Sequence, residues 1–273
     1  MLYIAFDCKI SIKIALGDGR IAMPIDRPYH RTYRQFVDGN YDEGGRSGYV
    51  VHHKFAESPE HYVRAFLLLL KDLQELFDYI EPADNNLPCY SYRIHALLLR
   101  ACVEVEANCK AILRENGYSR SGDWNMGDYK KIEKTHLLSA YEVKVPIWHG
   151  ARTIWSPFTP WASEAKLPWY EAYNISKHDR HSKFKEATFE HLIDASCGLL
   201  VLLSAQFGRH DFQPGNTLLA CEGPGDGMES GIGGYFRVRF PTKWPQDLQY
   251  DFKWQNLQNE PDPFQTIDYS KIA

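Results

Sequence analysis

No apolar run in the chain is long enough to cross a bilayer. The longest, residues 65–70 and 197–203, fall far short of the roughly 18–20 residues a spanning helix needs, and no membrane partner is expected. Six cysteines are present (Cys8, Cys89, Cys102, Cys109, Cys197 and Cys221), and none forms a Cys-x-x-Cys pair. A disulfide framework and a zinc site therefore lack their spacing signature, and the thiols read as small buried hydrophobes in a reducing compartment. Excess charge of one sign is missing too. The 31 basic and 35 acidic side chains give a net charge of −4, which argues against coating duplex DNA by bulk charge and leaves room for a local basic pocket. Residues 1–7 lack a basic start, and Asp7 interrupts their apolar stretch. No secretory leader is expected, and the protein is read as cytoplasmic. Gly-x-Ser-x-Gly, His-Glu-x-x-His and a cysteine in a nucleophile's context are all absent, so ordinary hydrolase and zinc-protease chemistry has no support. The glycines of 222–234 lack the Gly-Lys-Ser/Thr of a phosphate loop and read as a flexible connector.

What is present suits a packed core: 273 residues, 44% of them apolar and 14% aromatic. Residues 9–16 alternate polar and apolar, Gly17-Asp18-Gly19 follows, and Ile21, Met23 and Ile25 alternate again. This predicts a β-hairpin turning at Asp18-Gly19. Ser58-Pro59-Glu60 opens a helix with a serine cap and proline at the first position, and apolar residues keep helical spacing to Ile80. A second helix is predicted from Ser91 to Glu115, stopped by Asn116-Gly117. A short third follows over 128–140, another starts at Pro168-Trp169 and runs towards His178, and a last one covers 184–207. Residues 143–169, with four prolines and four tryptophans, read as irregular. Alternation at Phe236, Val238 and Phe240, and again at Tyr250, Phe252 and Trp254, predicts strands. The expected fold is mainly α: an antiparallel helical bundle over 58–207, flanked by small antiparallel β elements from a hairpin-and-loop region (1–57) and a Gly-rich and strand region (208–273).

One segment looks chemical, residues 169–185. If its first half is helical, Asn174 and His178 are four apart and share a face. From Lys177 to Lys185 there are four cations, Lys177, Arg180, Lys183 and Lys185, against the single acid Asp179, a local charge of +3. A helix starting near Ser182 would aim its free N–H groups at the same place, where phosphate is attracted. An imidazole among these groups is equipment for phosphodiester chemistry: His178 moves the proton of a ribose 2′-OH while Arg180 and Lys177 hold the charge on phosphorus. The rival reading is a structural junction, in which Asp179 caps a helix and Arg180 pairs with a bundle glutamate.

The helix bearing Glu104 and Glu106, the Tyr173-Asn174-x-x-Lys177-His178-Asp179-Arg180 junction and the apolar last helix together resemble the HEPN superfamily of helical bundles, over about residues 58–207. Many of its members are metal-independent endoribonucleases of bacterial defence or toxin systems with an Arg-Asn-x-x-x-His motif, and many are homodimers. The resemblance implies RNA or a nucleotide as partner, an antitoxin protein as a further one, and no cofactor or metal. It casts His178, Asn174 and Arg180 as catalytic, and Lys177, Tyr173, His181 and Lys183 as substrate-binding. Glu104, Glu106 and Asp179 then support them, orienting His178 or pairing with Arg180. Tyr173 stands where the family's motif has arginine. Trp161, Trp169, Tyr170 and Tyr173 would stack an unpaired base or pack the core. Two alternatives stand beside this: a non-catalytic ligand- or protein-interaction module, and an HD-type metal phosphohydrolase. The latter would use the dipeptides His178-Asp179 or His210-Asp211 with His149 and Asp194.

Overall fold

Helical spacing of apolar residues becomes real helix where a whole stripe can be buried at once. In the computed structural model, described over residues 24–212 and 227–272, the elements follow in order. They are α1 (Pro59–Phe77), α2 (Tyr92–Glu115), α3 (Met126–Lys130), α4 (Glu133–His136), β1 (Glu142–Lys144), α5 (Thr159–Ala162), α6 (Pro168–His178), α7 (Arg180–Lys183), α8 (Phe189–Phe207), β2 (Glu229–Ser230), β3 (Arg237–Arg239) and α9 (Trp254–Leu257). The protein is mainly α with a small antiparallel sheet.

From Leu192 onwards α8 is buried almost all round, which makes it the central helix. It packs chiefly on α2, which also contacts α1 and α6. Phe189 N donates to Cys89 O near the start of both helices, and Gln206 Nε2 donates to Asn108 Oδ1 further along, so α2 and α8 run parallel. Arg100 meets Asp72, and Arg93 reaches Asp72 and Glu75, so α1 runs antiparallel to α2. Gly208 ends α8 at φ +62, with the Tyr33 ring only 2.8 Å from where a Cβ would sit.

The sheet has the order β1-β3-β2, with Val143 opposite Val238 and Glu229 also opposite Val238. β3 matches the alternation of Phe236, Val238 and Phe240. Its neighbour β1 lies in the stretch read as irregular, where Val143 also exchanges hydrogen bonds with Trp155. The end of the glycine segment, 227–234, is not a connector there: β2 and a turn at Gly233-Gly234 form a hairpin with β3. The hairpin predicted at Asp18-Gly19 lies outside the described residues. Tyr250 makes single parallel bridges to Ile25 and Phe36, while Trp254 starts α9. The predicted strand over 250–254 is thus replaced by isolated bridges, because Tyr250 sits between two segments rather than along one.

Element ends shift for local reasons. Ser58 adopts φ +47 and makes no side-chain cap, and α1 stops at Phe77, short of Ile80. The 128–140 helix breaks at Leu137, which is left-handed. The 184–207 helix begins at Phe189, where the Thr188 hydroxyl accepts from His191 N.

One hydrophobic core takes in residues from before, within and after the bundle. A buried polar network ties the N-terminal segment to it. Arg31, with no exposed side chain, donates to Glu115 (2.6 Å), Gln206 (3.0 Å) and Glu57 O (2.7 Å). Its guanidinium also lies 4.4 Å from the centre of the Tyr62 ring.

Candidate functional site

The chemical segment is built on α6. Pro168 supplies the first-turn residue that needs no N–H partner. Trp169, Tyr170, Ala172, Tyr173 and Ser176 turn inward, while Ile175, Lys177 and His178 remain exposed. The helix is unbroken from Asn174 to His178, so the amide and the imidazole share a face as the spacing predicted. Asn174 is half-buried and His178, the last helical residue, is open to solvent.

The buried side of α6 organises a second group. Tyr170 donates its hydroxyl proton to Glu106 Oε1 at 2.8 Å. Lys177 Nζ donates to the Tyr173 hydroxyl at 3.0 Å and lies 4.9 Å from that ring's centre. This hydrogen bond holds the Lys177 ammonium above its usual range, while burial pushes the Tyr173 phenol up. Tyr173, which stands where the HEPN motif has arginine, is 1% exposed, and its ring is closed to a ligand on the surface. Trp161, Trp169 and Tyr170 are buried as well. Of the two readings of these rings, core packing holds and base stacking by them falls.

Asp179 leaves helical geometry at φ −132, ψ 61, and its carboxylate accepts from Ser182 N at 3.3 Å. That capping contact is the one the structural-junction reading called for. The helix beyond it, α7, is a single turn of four residues. The open array of N–H donors expected near Ser182 is therefore not formed: too few peptide dipoles align, and Asp179 occupies the turn.

Arg180, His181, Lys183 and Lys185 are exposed, and among the described residues none forms a hydrogen bond or ion pair through its side chain. Nor does any of Asn174, His178 and Arg180 bond to another of the three. The glutamates expected to face them are engaged elsewhere or stand alone. Glu106 bonds Tyr170 and lies 3.8 Å from Lys110. Glu104 has its carboxyl pushed up by burial, against the pull of Arg100. The supporting pairs of Glu104 or Glu106 with His178 or Arg180 are absent among the described residues, because Tyr170 takes the inward carboxylate of Glu106.

The sequence reading missed three residues beside these cations. Phe184, between Lys183 and Lys185, packs against Tyr92 (ring centres 4.6 Å apart) and edge-on to Tyr90 (5.8 Å). Tyr92 is 72% exposed and Tyr90 54%. A signal for them existed: Tyr90-Ser91-Tyr92 brackets the cap of α2, where side chains at the first turn point outward as readily as in. Exposed rings thus stand beside cations that have no acid partner among the described residues.

The metal reading finds no assembly. His149 meets Glu81 at 3.4 Å, and Asp194 is held by Arg152 at 2.8 Å. Among the described residues no three His, Cys, Asp or Glu side chains gather as a metal-binding group. Comparison of the chain with protein-family models, with curated proteins and with solved structures finds no match.

Proposed function

We propose that this protein binds single-stranded RNA at the α6–α7 junction, as a HEPN-like helical module. The observation that carries the reading is the set of cations Arg180, Lys183 and Lys185, unpaired among the described residues, beside the exposed rings of Tyr90 and Tyr92. Cations without acid partners gain most from phosphate, since no ion pair within the protein must be broken to bind it. Rings exposed beside them accept bases whatever the sequence. The reading is tested by fluorescence anisotropy with a labelled single-stranded RNA of about 12 nucleotides, a length within the site sizes of such surfaces. Binding weakened in Lys183→Ala/Lys185→Ala, with an unchanged thermal transition, supports it. Equal affinity for the variant and the parent refutes it.

A second reading keeps the cleavage chemistry. It is favoured by Asn174 and His178 sharing one face of α6 with His178 open to solvent, where the imidazole could take the proton of a ribose 2′-OH. Arg180 would then hold the phosphate charge in place of the missing motif arginine. RNA cut in the presence of EDTA, and left intact by folded His178→Ala, selects this reading. RNA bound and left whole selects the binding module. A homodimer belongs to the same proposal, supported by Val103 and Ile175 lying exposed on α2 and α6; light scattering reads the mass.

A further inference from the structure

A groove of about 680 Å³ lies at the other end of α2 from Tyr92, lined by Glu106, Lys110, Arg114, Tyr118, Gly122, Asp123 and Trp124. Its floor is a single ridge of α2, since Glu106, Lys110 and Arg114 are spaced four apart. Its wall is the loop that follows α2, and that loop is held in shape. Tyr118 donates to Asp128 at 2.6 Å, Arg120 pairs with the same carboxylate at 2.8 Å and also donates to Asp123 O at 2.6 Å. Asn125 and Asp128 close the loop with a reciprocal cap at the start of α3. The Trp124 indole is packed edge-on to Tyr118, ring centres 5.4 Å apart, and stays partly exposed on the groove. Arg114 is exposed and, among the described residues, has no carboxylate partner. Glu106, the one acid on the floor, is already bonded by Tyr170 and faced by Lys110.

We infer that this groove is a nucleotide-binding subsite. A base packs on Trp124, the phosphate lies against Arg114 and Lys110, and Asp123 accepts hydrogen bonds from the sugar hydroxyls. The groove is open to solvent along its length, and a flat ring beside two cations is the chemistry that recognises a base with its phosphate. The ligand class rests on the RNA-binding reading above. The nucleotide has two sources, a free nucleoside 5′-monophosphate or the 5′-phosphorylated end of an RNA strand.

The test is isothermal titration calorimetry of the full chain with AMP, with inorganic phosphate, and with one RNA carrying either a 5′-phosphate or a 5′-hydroxyl. AMP binding assigns the free nucleotide. Preference for the 5′-phosphorylated strand without AMP binding assigns the RNA end. In either case Arg114→Ala and Trp124→Ala each weaken binding by about tenfold, the loss expected for one charge-assisted or stacking contact, and Trp124→Phe recovers part of it. Trp124→Phe also guards against a loop collapsed by the alanine. AMP binding no tighter than inorganic phosphate together with no preference for the 5′-phosphorylated strand overturns the proposal, as does binding of either ligand that both alanine variants leave unchanged. The 5′-hydroxyl strand reports on the junction alone, so failure at the groove is told apart from failure of the RNA-binding reading.

Discussion

Replacing Lys183 and Lys185 together should change how RNA affinity responds to salt, and the size of the change follows from the structure. Three side chains at the junction, Arg180, Lys183 and Lys185, are exposed and unpaired among the described residues. Lys177 is excluded because its ammonium is bound to Tyr173. A single strand releases about 0.7 counterion per phosphate neutralised, so three contacts give a slope of log K against log salt near −2.1. Raising potassium chloride from about 50 to about 200 mM then weakens binding roughly 20-fold. With only Arg180 left, the slope is about −0.7 and the same rise costs under about threefold. Anisotropy titrations of a 5′-hydroxyl RNA at four salt concentrations measure both slopes. Equal slopes for variant and parent would refute the reasoning, because they would put the phosphate contacts elsewhere. A thermal transition unchanged between the two proteins is expected, since both lysines are exposed and form no side-chain hydrogen bond or ion pair among the described residues.

Three further outcomes probe the scaffold. Glu115→Ala leaves the fully buried Arg31 guanidinium without its carboxylate, a change worth about 3–5 kcal/mol; chemical denaturation showing under about 1 kcal/mol would mean Glu115 carries little of that charge. His136, buried with Nε2 2.9 Å from Arg31 O, has its pKa lowered by burial to about 3. The folded protein keeps this ring neutral while the unfolded chain protonates it, so its stabilising contribution is complete above the unfolded pKa near 6.5 and is lost as the pH falls towards 3. The slope in that window reaches about 1.4 kcal/mol per pH unit, and His136→Leu should flatten it in urea melts taken from pH 7 to pH 4. Gly208→Ala forces a Cβ to 2.8 Å from the Tyr33 ring at φ +62 and should cost about 1–3 kcal/mol; a melting temperature equal to the parent's would show that the turn relaxes.

Much of this fold is local and could be read from the chain. Apolar residues at helical spacing, Pro59 and Pro168 at first turns, and Asn116-Gly117 after Glu115 determine α1, α2 and α6, because each signal acts within a few residues of where it stands. The same holds for Asn174 and His178 sharing a face, and for the excess of cations between 177 and 185. What the junction can do was decided by packing. Tyr170 takes Glu106, Tyr173 is buried and holds Lys177, and Asp179, itself exposed, caps one short turn. These contacts engage groups that the sequence offered as substrate-binding or supporting ones, while Arg180, Lys183 and Lys185 stay exposed and, among the described residues, unpaired. Exposure is a property of the assembled surface. Tyr90 and Tyr92 look like core residues by type, yet they stand in solvent beside Phe184 because α8 and α6 fill the inner face of α2. The parallel course of α2 and α8 and the groove beneath Trp124 arise in the same way, from contacts between residues far apart in the chain that no local pattern encodes.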